Sequence, residues 1–369
     1  MSKARGLADL GNQIDDGAIT GSNMIVNGAM TVAQRGVTNT YSASDTFVVD
    51  RFFARGTSTD QLVITVTQED DGPAGFNKSL KVNTDTAETD LASNEQFKME
   101  HRMEGNTISH LGWGTSNAKT VTLSFWFKSS TTGTTAVSFH NQDNNRSFVS
   151  TFTVSSANTW EYKTITVAGP TDGTWATETS IGIRIRWGSF GTEFHTTSTD
   201  QWINTQDMSV SGAIDWSDTA NKYFQITGVC LNVGDSAIDF PHQSYGDELA
   251  RCQRYCQRHP SLDQADGGAY SILGGAGWAG STTAGIEPMS LPTTMRIEPT
   301  GTFSGNWRFI RTNTATAITS GPTINDTYSN VSAILMNATV GSTALTAGEG
   351  LAITQNNDAD AHLILDSEL

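Results

Sequence analysis

The sequence predicts an all-β protein of sandwich or barrel type, and three features predict it. Only 16% of the 369 residues are charged, while Thr, Ser, Asn and Gly are abundant, which suits strands whose exposed faces carry hydroxyls. From Met24 onward, short runs with a period of two recur between Gly, Asn, Asp and Ser turns. At least seven such runs follow at regular spacing, as a sandwich or barrel requires.

The runs are QLVITVTQ, KTVTLSFWFKSS, TTAVSFHNQ, RSFVSTFTVSS, EYKTITVAG, ETSIGIRIRWGS and NKYFQITGVCLNVG. Their alternation assigns faces, because successive strand side chains point to opposite sides. Val121, Leu123, Phe125 and Phe127 share one side, with Trp126 and Lys128 opposite. Ile181, Ile183, Ile185 and Trp187 share another, with Arg184 and Arg186 opposite. Trp126, Arg184 and Arg186 are therefore the residues the pattern leaves unburied.

Before these runs, residues 1–21 hold only Leu7, Leu10 and Ile14 as a weak helical stripe, the kind of segment that orders against a partner. After them, FPHQSYGDELARCQRYCQRH at 240–259 reads as a helix. Asp247 and Glu248 open it and Arg254 and Arg258 close it, the order the helix dipole favours. Asp247 and Arg251 are an i,i+4 pair. Leu249, Cys252, Tyr255 and Cys256 form a stripe too narrow to support a free helix, so it must pack as a connector. Beyond His259 and Pro260, GNWRFIRTNT, SNVSAILMNA and AHLILD indicate a second, smaller β domain over 262–369.

Function classes narrow by exclusion. Twenty-two Lys and Arg against 38 Asp and Glu give a net charge of −16, the wrong sign for gripping nucleic acid. No stretch approaches the roughly 18 apolar residues of a membrane helix, and the N-terminus lacks a secretory apolar core. Membrane insertion and export are therefore not expected. Gly275, Gly277 and Gly280 match G-x-G-x-x-G, but the following STTAGIEP cannot open the helix that a dinucleotide site needs. GDSA at 234–237 has no strand–Ser–helix elbow around Ser236. Cys252 and Cys256 share a helix face, but only Cys230, His242 and His259 could complete four zinc ligands, and buried free thiols are the simpler reading. Acidic turns such as QDNN lack calcium-loop spacing, so a structural calcium has no motif behind it. No catalytic set, metal or cofactor is expected, and binding is the business of this surface. Trp126, Trp175 and Trp202 fall on a polar strand face or beside loops, where aromatic rings next to Arg, Asn and Thr can take a sugar.

One stretch is more specific. NMIVNGAMTVAQRGVTNTYSASDTFVVDRFF at 23–53 resembles the opening of the carbohydrate-binding-module-like jelly rolls of bacteriophage tail fibres and related virion proteins. The matching positions are Asn23, Asn27, Gly28, Gln34, Arg35, Gly36, Asp50 and Arg51. GTW at 173–175, DQW at 200–202, FQITGVCLNVG at 224–234, the FPHQSYGDELARCQRYCQR block, PMSLPTTMRIEPTGTFS and the terminal DSEL continue the resemblance. Ala29, Cys230 and Asn232 depart from it, standing where that family carries Asp, Gln and Glu.

The resemblance implies a jelly roll over 22–245, a connector helix at 246–261 and a distal β tip at 262–369. It further implies a homotrimeric virion protein, attached to other virion proteins through residues 1–21 and reaching host surface polysaccharide. The glycan would bind at that tip or at the residues that alternation and loop position single out, Trp126, Arg184, Arg186, Trp175 and Trp202. A purely structural head-decoration fibre or tail connector is the alternative, and a depolymerase or esterase the third.

Overall fold

The computed structural model describes residues 23–40, 46–57, 61–261, 270–311 and 314–369, so the expected attachment segment at 1–21 lies outside the described residues. The chain divides into two compact units. The first comprises the described residues up to Ala33, Val37–Tyr245 and Leu369; the second comprises Gln34–Gly36 and Gly246–Glu368.

In the first unit the strands are β1 (Thr38–Thr40), β2 (Thr46–Phe47), β3 (Phe52–Thr57), β4 (Val63–Glu69), β5 (Ser79–Thr86), β6 (Gln96–Glu104) and β7 (Val121–Ser129). They continue as β8 (Gly133–His140), β9 (Ser147–Val154), β10 (Glu161–Val167), β11 (Ile181–Phe190), β12 (Trp202–Ile203) and β13 (Tyr223–Val233). Sheet I has the order β1-β4-β5-β13-β7-β10 and sheet II the order β12-β9-β8-β11-β6-β3-β2. From β6 onward the chain crosses repeatedly between the sheets, which is the jelly-roll path. All seven period-two runs are strands here.

The core lies between the sheets. Phe125 and Phe127 of sheet I meet Phe152 of sheet II edge-on at 5.3 and 5.1 Å, and Phe125 meets Trp187 at 5.7 Å. Each such fully buried ring contributes on the order of 1.5–3 kcal/mol. The strand alternation is therefore fixed by burial, as read from VTLSFWFK and IGIRIRW.

Several residues of the opening motif pin this sandwich by backbone hydrogen bonds. Buried Asn23 donates to Val229 O at 2.7 Å and accepts from Leu231 N at 2.9 Å, tying its segment to β13. Buried Asn27 donates to Val32 O and Asp50 O, at 2.8 and 3.0 Å. Gly28 passes so close to β13 that a Cβ there would lie 2.1 Å from Val229 O. Inside the second unit, Gln34 donates to Cys256 O at 2.7 Å and Arg35 pairs with Asp366 at 2.8 Å.

The helix Tyr245–Gln253 lies in the second unit from Gly246 on and is followed by β14 (Cys256–His259), β15 (Gly277–Ala279), β16 (Ala284–Ser290), β17 (Thr300–Ser304) and β18 (Trp307–Arg311). Then come β19 (Thr314–Ala317), β20 (Ser320–Ile324), β21 (Ala333–Thr339), β22 (Gly350–Gln355) and β23 (His362–Asp366). A three-stranded sheet β14-β23-β17 and a seven-stranded sheet β19-β18-β22-β15-β16-β21-β20 enclose a core around Trp307, Phe309, Met336, Ile353 and Leu363.

The helix is shorter than the Arg-rich segment suggests. It stops at Gln253, and Cys256–His259 runs antiparallel to β23, with Cys256 opposite Asp366. Arg254 O and Tyr255 O are taken by Arg296 N and Ser367 N, at 2.7 and 2.8 Å. These long-range partners, unlike further helical turns, satisfy the freed carbonyls and bury Tyr255 and Cys256. Leu249 is half-buried, while Cys252 and Cys256 are fully buried as free thiols. The helix is thus part of the second β unit rather than a separate joint. Within the helix, Arg251 reaches Glu248 at 3.4 Å. The glycines of GGAGWAG serve close strand packing: at Gly277 a Cβ would sit 2.3 Å from Ile286 O.

Candidate functional site: the open face of sheet I

The predicted face of Trp126, Arg184 and Arg186 does not exist as one surface. Trp126 lies on β7 of sheet I, while both arginines lie on β11 of sheet II. Alternation could assign inside and outside but could not say which sheet a strand joins. Arg186 is buried, donating to Glu100 at 2.6 Å and to Asn144 Oδ1 at 2.9 Å, with Met208 Sδ at 3.8 Å. Arg184 donates to Glu100 at 3.0 Å and to Gln142 O at 3.3 Å.

Trp175 and Trp202 pack rather than project. With Trp113 they form an edge-to-face triad, ring centroids 4.8–5.4 Å apart. Each indole N–H is already spent on a backbone carbonyl: Trp113 on Lys119, Trp175 on Asp172 and Trp202 on Ala168. Trp113 and Trp175 belong to the core and Trp202 packs against it. Ser236 sits in an exposed bend, its hydroxyl 3.2 Å from Asp235 Oδ1.

Trp126 is different. It pairs across the strands with Tyr162 of β10 and Thr227 of β13. Its ring lies 5.2 Å from the Tyr162 ring, and Tyr162 is 45% exposed. Around this pair gather residues from two loops. In the β4–β5 connection DDGPAGFNK, a turn closed by Phe76 N to Pro73 O at 2.9 Å brings Phe76 over β13. Phe76 meets Phe240 at 5.0 Å and His242 at 4.9 Å, both from the segment after β13.

The seat for these rings is Gly228. It occupies an irregularity in the β13–β7 register with φ of +62°, where a Cβ would lie 2.8 Å from Phe76 and 3.0 Å from Trp126. Only glycine combines that left-handed backbone with so close an approach.

Polar groups border the rings. Asp71 accepts from Lys128 Nζ at 2.6 Å and from Trp160 Nε1 at 3.5 Å, and Lys128 stands 5.6 Å over the Trp160 ring. The Lys128 hydrogen bond, aided by Trp160 and Gln225, holds the Asp71 carboxyl below its usual range. Asp71 is therefore a carboxylate, an acceptor for hydroxyl donors. Apolar ring faces beside a fixed carboxylate, an ammonium and an amide can stack against the C–H face of a pyranose and bond its hydroxyls. Trp126 carried a sequence signal; Phe76, Trp160, Asp71 and Phe240 did not, because loop folding brings them here.

Among the described residues, no group of three His, Cys, Asp or Glu side chains is arranged to hold a metal ion. No described helix is long and apolar enough to cross a membrane.

No family model matches the chain, and no curated protein does. Among solved structures, it is similar to the enzymatically active domain of tailspike protein 4 of bacteriophage CBA120, at 14% identity and a TM-score of 0.32. That match covers 57% of this chain and only 21% of the tailspike chain. A xylan-binding domain from Paenibacillus barcinonensis matches at 18% identity and a TM-score of 0.27, over 49% of this chain and 91% of its own. A family 11 carbohydrate-binding module from Clostridium thermocellum, in complex with a mixed-linked tetrasaccharide, matches at 8% identity and 0.28, over 53% and 95%. Scores this low decide nothing about this chain, whose architecture is read from its own sheets.

Proposed function

We propose that this chain is a bacteriophage virion protein, a tail fibre or spike subunit, and that its first unit binds host-surface glycan on the open face of sheet I. The observation that carries glycan binding is the half-buried Trp126 paired with exposed Tyr162 beside the Asp71–Lys128–Trp160 cluster. The virion assignment rests on the motif resemblance at 23–53 and 240–258. A homotrimer belongs to the same reading. Its support is an apolar strip in the second unit, where Ile272, Trp278 and Ile310 remain exposed on or beside the seven-stranded sheet.

A glycan array and a host-cell adsorption assay test the proposal with the full chain and with Trp126→Ala and Tyr162→Ala. Binding by the unaltered chain and its loss in both variants is expected. Absence of binding at high protein concentration would instead favour a head-decoration fibre or tail connector, and labelling residue 369 on purified virions would locate it.

A further inference from the structure

The outer face of sheet II carries a different chemistry. Arg184 stands opposite His140 on β8 and Arg102 on β6, and Arg186 stands opposite Ser138 and Glu100. Lys98 follows two residues before Glu100, with Arg55 as its cross-strand partner. Glu100 is wholly buried and takes Arg102 Nε at 2.5 Å, Arg186 Nε at 2.6 Å, Arg184 Nη1 at 3.0 Å and Lys98 Nζ at 3.9 Å. Lys98, Arg102, Arg184 and Arg186 thus share one carboxylate.

A buried surplus of positive charge must be relieved, by losing a proton or by taking an anion. Lys98 can lose its proton: burial and then Arg186 lower its pKa to about 7. The arginines cannot, so three guanidiniums still face a single carboxylate, of which Arg102 has a further acceptor in Leu369 O while Arg184 and Arg186 turn to neutral ones. Hydrogen bonding is incomplete in the same place. Arg184 Nε and His140 Nδ1 are buried without a partner, on directly opposed residues. The neighbouring Gln142–Asn144 turn is held there by Arg184 Nη2 on Gln142 O and Arg186 Nη2 on Asn144 Oδ1.

We propose that this face is a site for a tetrahedral oxyanion, a sulfate or phosphate group, bound by Arg184, His140 and Arg186 beneath the Gln142–Asn144 turn. The anion takes the orphan Arg184 Nε–H and, in the tautomer that carries the imidazole proton there, His140 Nδ1–H, with Ser138 Oγ donating to Nε2, and it displaces the turn's weaker neutral acceptors, since charged acceptors form the stronger hydrogen bonds with guanidinium. The site is on the opposite sheet from the glycan surface and stands or falls independently of it.

The test is thermal unfolding of the full chain in sodium sulfate or phosphate against sodium chloride at matched ionic strength. At about ten times Kd, the first-unit transition should rise by roughly 3–5 °C beyond chloride. Arg184→Gln should abolish that excess. Asn144→Ala, which frees Arg186 from the turn, should produce it at lower anion concentration, and it keeps the test open if Arg184→Gln does not fold. A sugar sulfate or sugar phosphate acting at lower concentration than the inorganic ion assigns the site to an esterified glycan; equal potency assigns it to the free ion. No excess over chloride, or an undiminished excess in folded Arg184→Gln, overturns the proposal.

Discussion

Replacing Glu100 by Gln is the sharpest test of how the first unit is held together. The carboxylate has no exposed surface and receives three guanidinium contacts at 2.5–3.0 Å. Burial alone would raise its pKa, yet Arg186, Arg102, Lys98 and Arg184 together hold it well below the usual carboxylate range. The amide keeps the shape but removes the charge, leaving those cations without their shared partner. Breaking a buried pair in this way costs about 3–5 kcal/mol.

A half-exposed pair gives the contrast. Lys222–Asp218, with its side chains 24% and 41% exposed, is worth less than about 1 kcal/mol. Equilibrium urea unfolding in chloride buffer, followed by fluorescence of the buried Trp187 and Trp216, measures both Glu100→Gln and Asp218→Asn. A Glu100→Gln loss below about 1 kcal/mol, or one equal to that of Asp218→Asn, would refute the reasoning. The pH dependence has a definite sign. Because the folded pKa is depressed, the contribution is present above the ordinary Glu value of 4.5 and is lost as pH falls toward the folded value. Wild type should therefore lose first-unit stability below about pH 4.5, and the variant should be flatter there.

Three further outcomes are expected. Gly228→Ala forces an L residue at φ +62°, which costs about 1–2 kcal/mol, and lifts Phe76 and Trp126, so glycan binding in the array should fall more than the unfolding free energy does. Native protein should resist a thiol reagent at all three cysteines, because Cys230, Cys252 and Cys256 are buried and burial raises the Cys230 pKa to about 12; rapid labelling before denaturant is added would contradict that packing. Glu287, buried while accepting Gly274 N at 2.9 Å and Ile353 N, has its pKa raised by burial to about 7. Its protonated form favours the fold, so second-unit stability is fully present below pH 4.5 and declines as pH rises through 7, by up to about 3 kcal/mol; an unfolding midpoint that rises over that interval would be the wrong sign.

What the sequence made legible follows from which forces leave a local pattern. Strands such as β7 and β11 could be read because their core-facing residues are apolar and their outward ones mostly polar, so the chemistry alternates even where an outward side chain, such as Ser124 or Arg186, is also buried. The strand β6, QFKMEHRME, escaped notice because its outward residues Lys98 and Glu100 are as buried as its inward Met99, and charge there does not mean exposure. Cys256–His259 read as helix because Arg and Cys spacing fits both periods at four residues; the deciding fact, β23 pairing more than a hundred residues later, leaves no local trace. The buried polar residues of the opening motif explain the strength of the resemblance: Asn23, Asn27 and Gly28 are demanded by backbone geometry, so they report fold more than function.

The same logic separates the two outer faces of the sandwich. Both were drawn from identical alternation, yet they have opposite fates. Over sheet II, the turn at 142–144 and Met208 close on Arg184 and Arg186, so every charge beneath must be answered from within or by a captured ion. Over sheet I the loops bring mainly Phe76, Phe240 and Asp71, and they stop short of Tyr162. An aromatic pair left partly uncovered, with Tyr162 exposed, costs stability compared with a polar strand face, since apolar area stays in water. The charges that alternation marked as exposed are therefore enclosed, and the aromatic face, which core packing alone would have covered, is the one left free for a ligand.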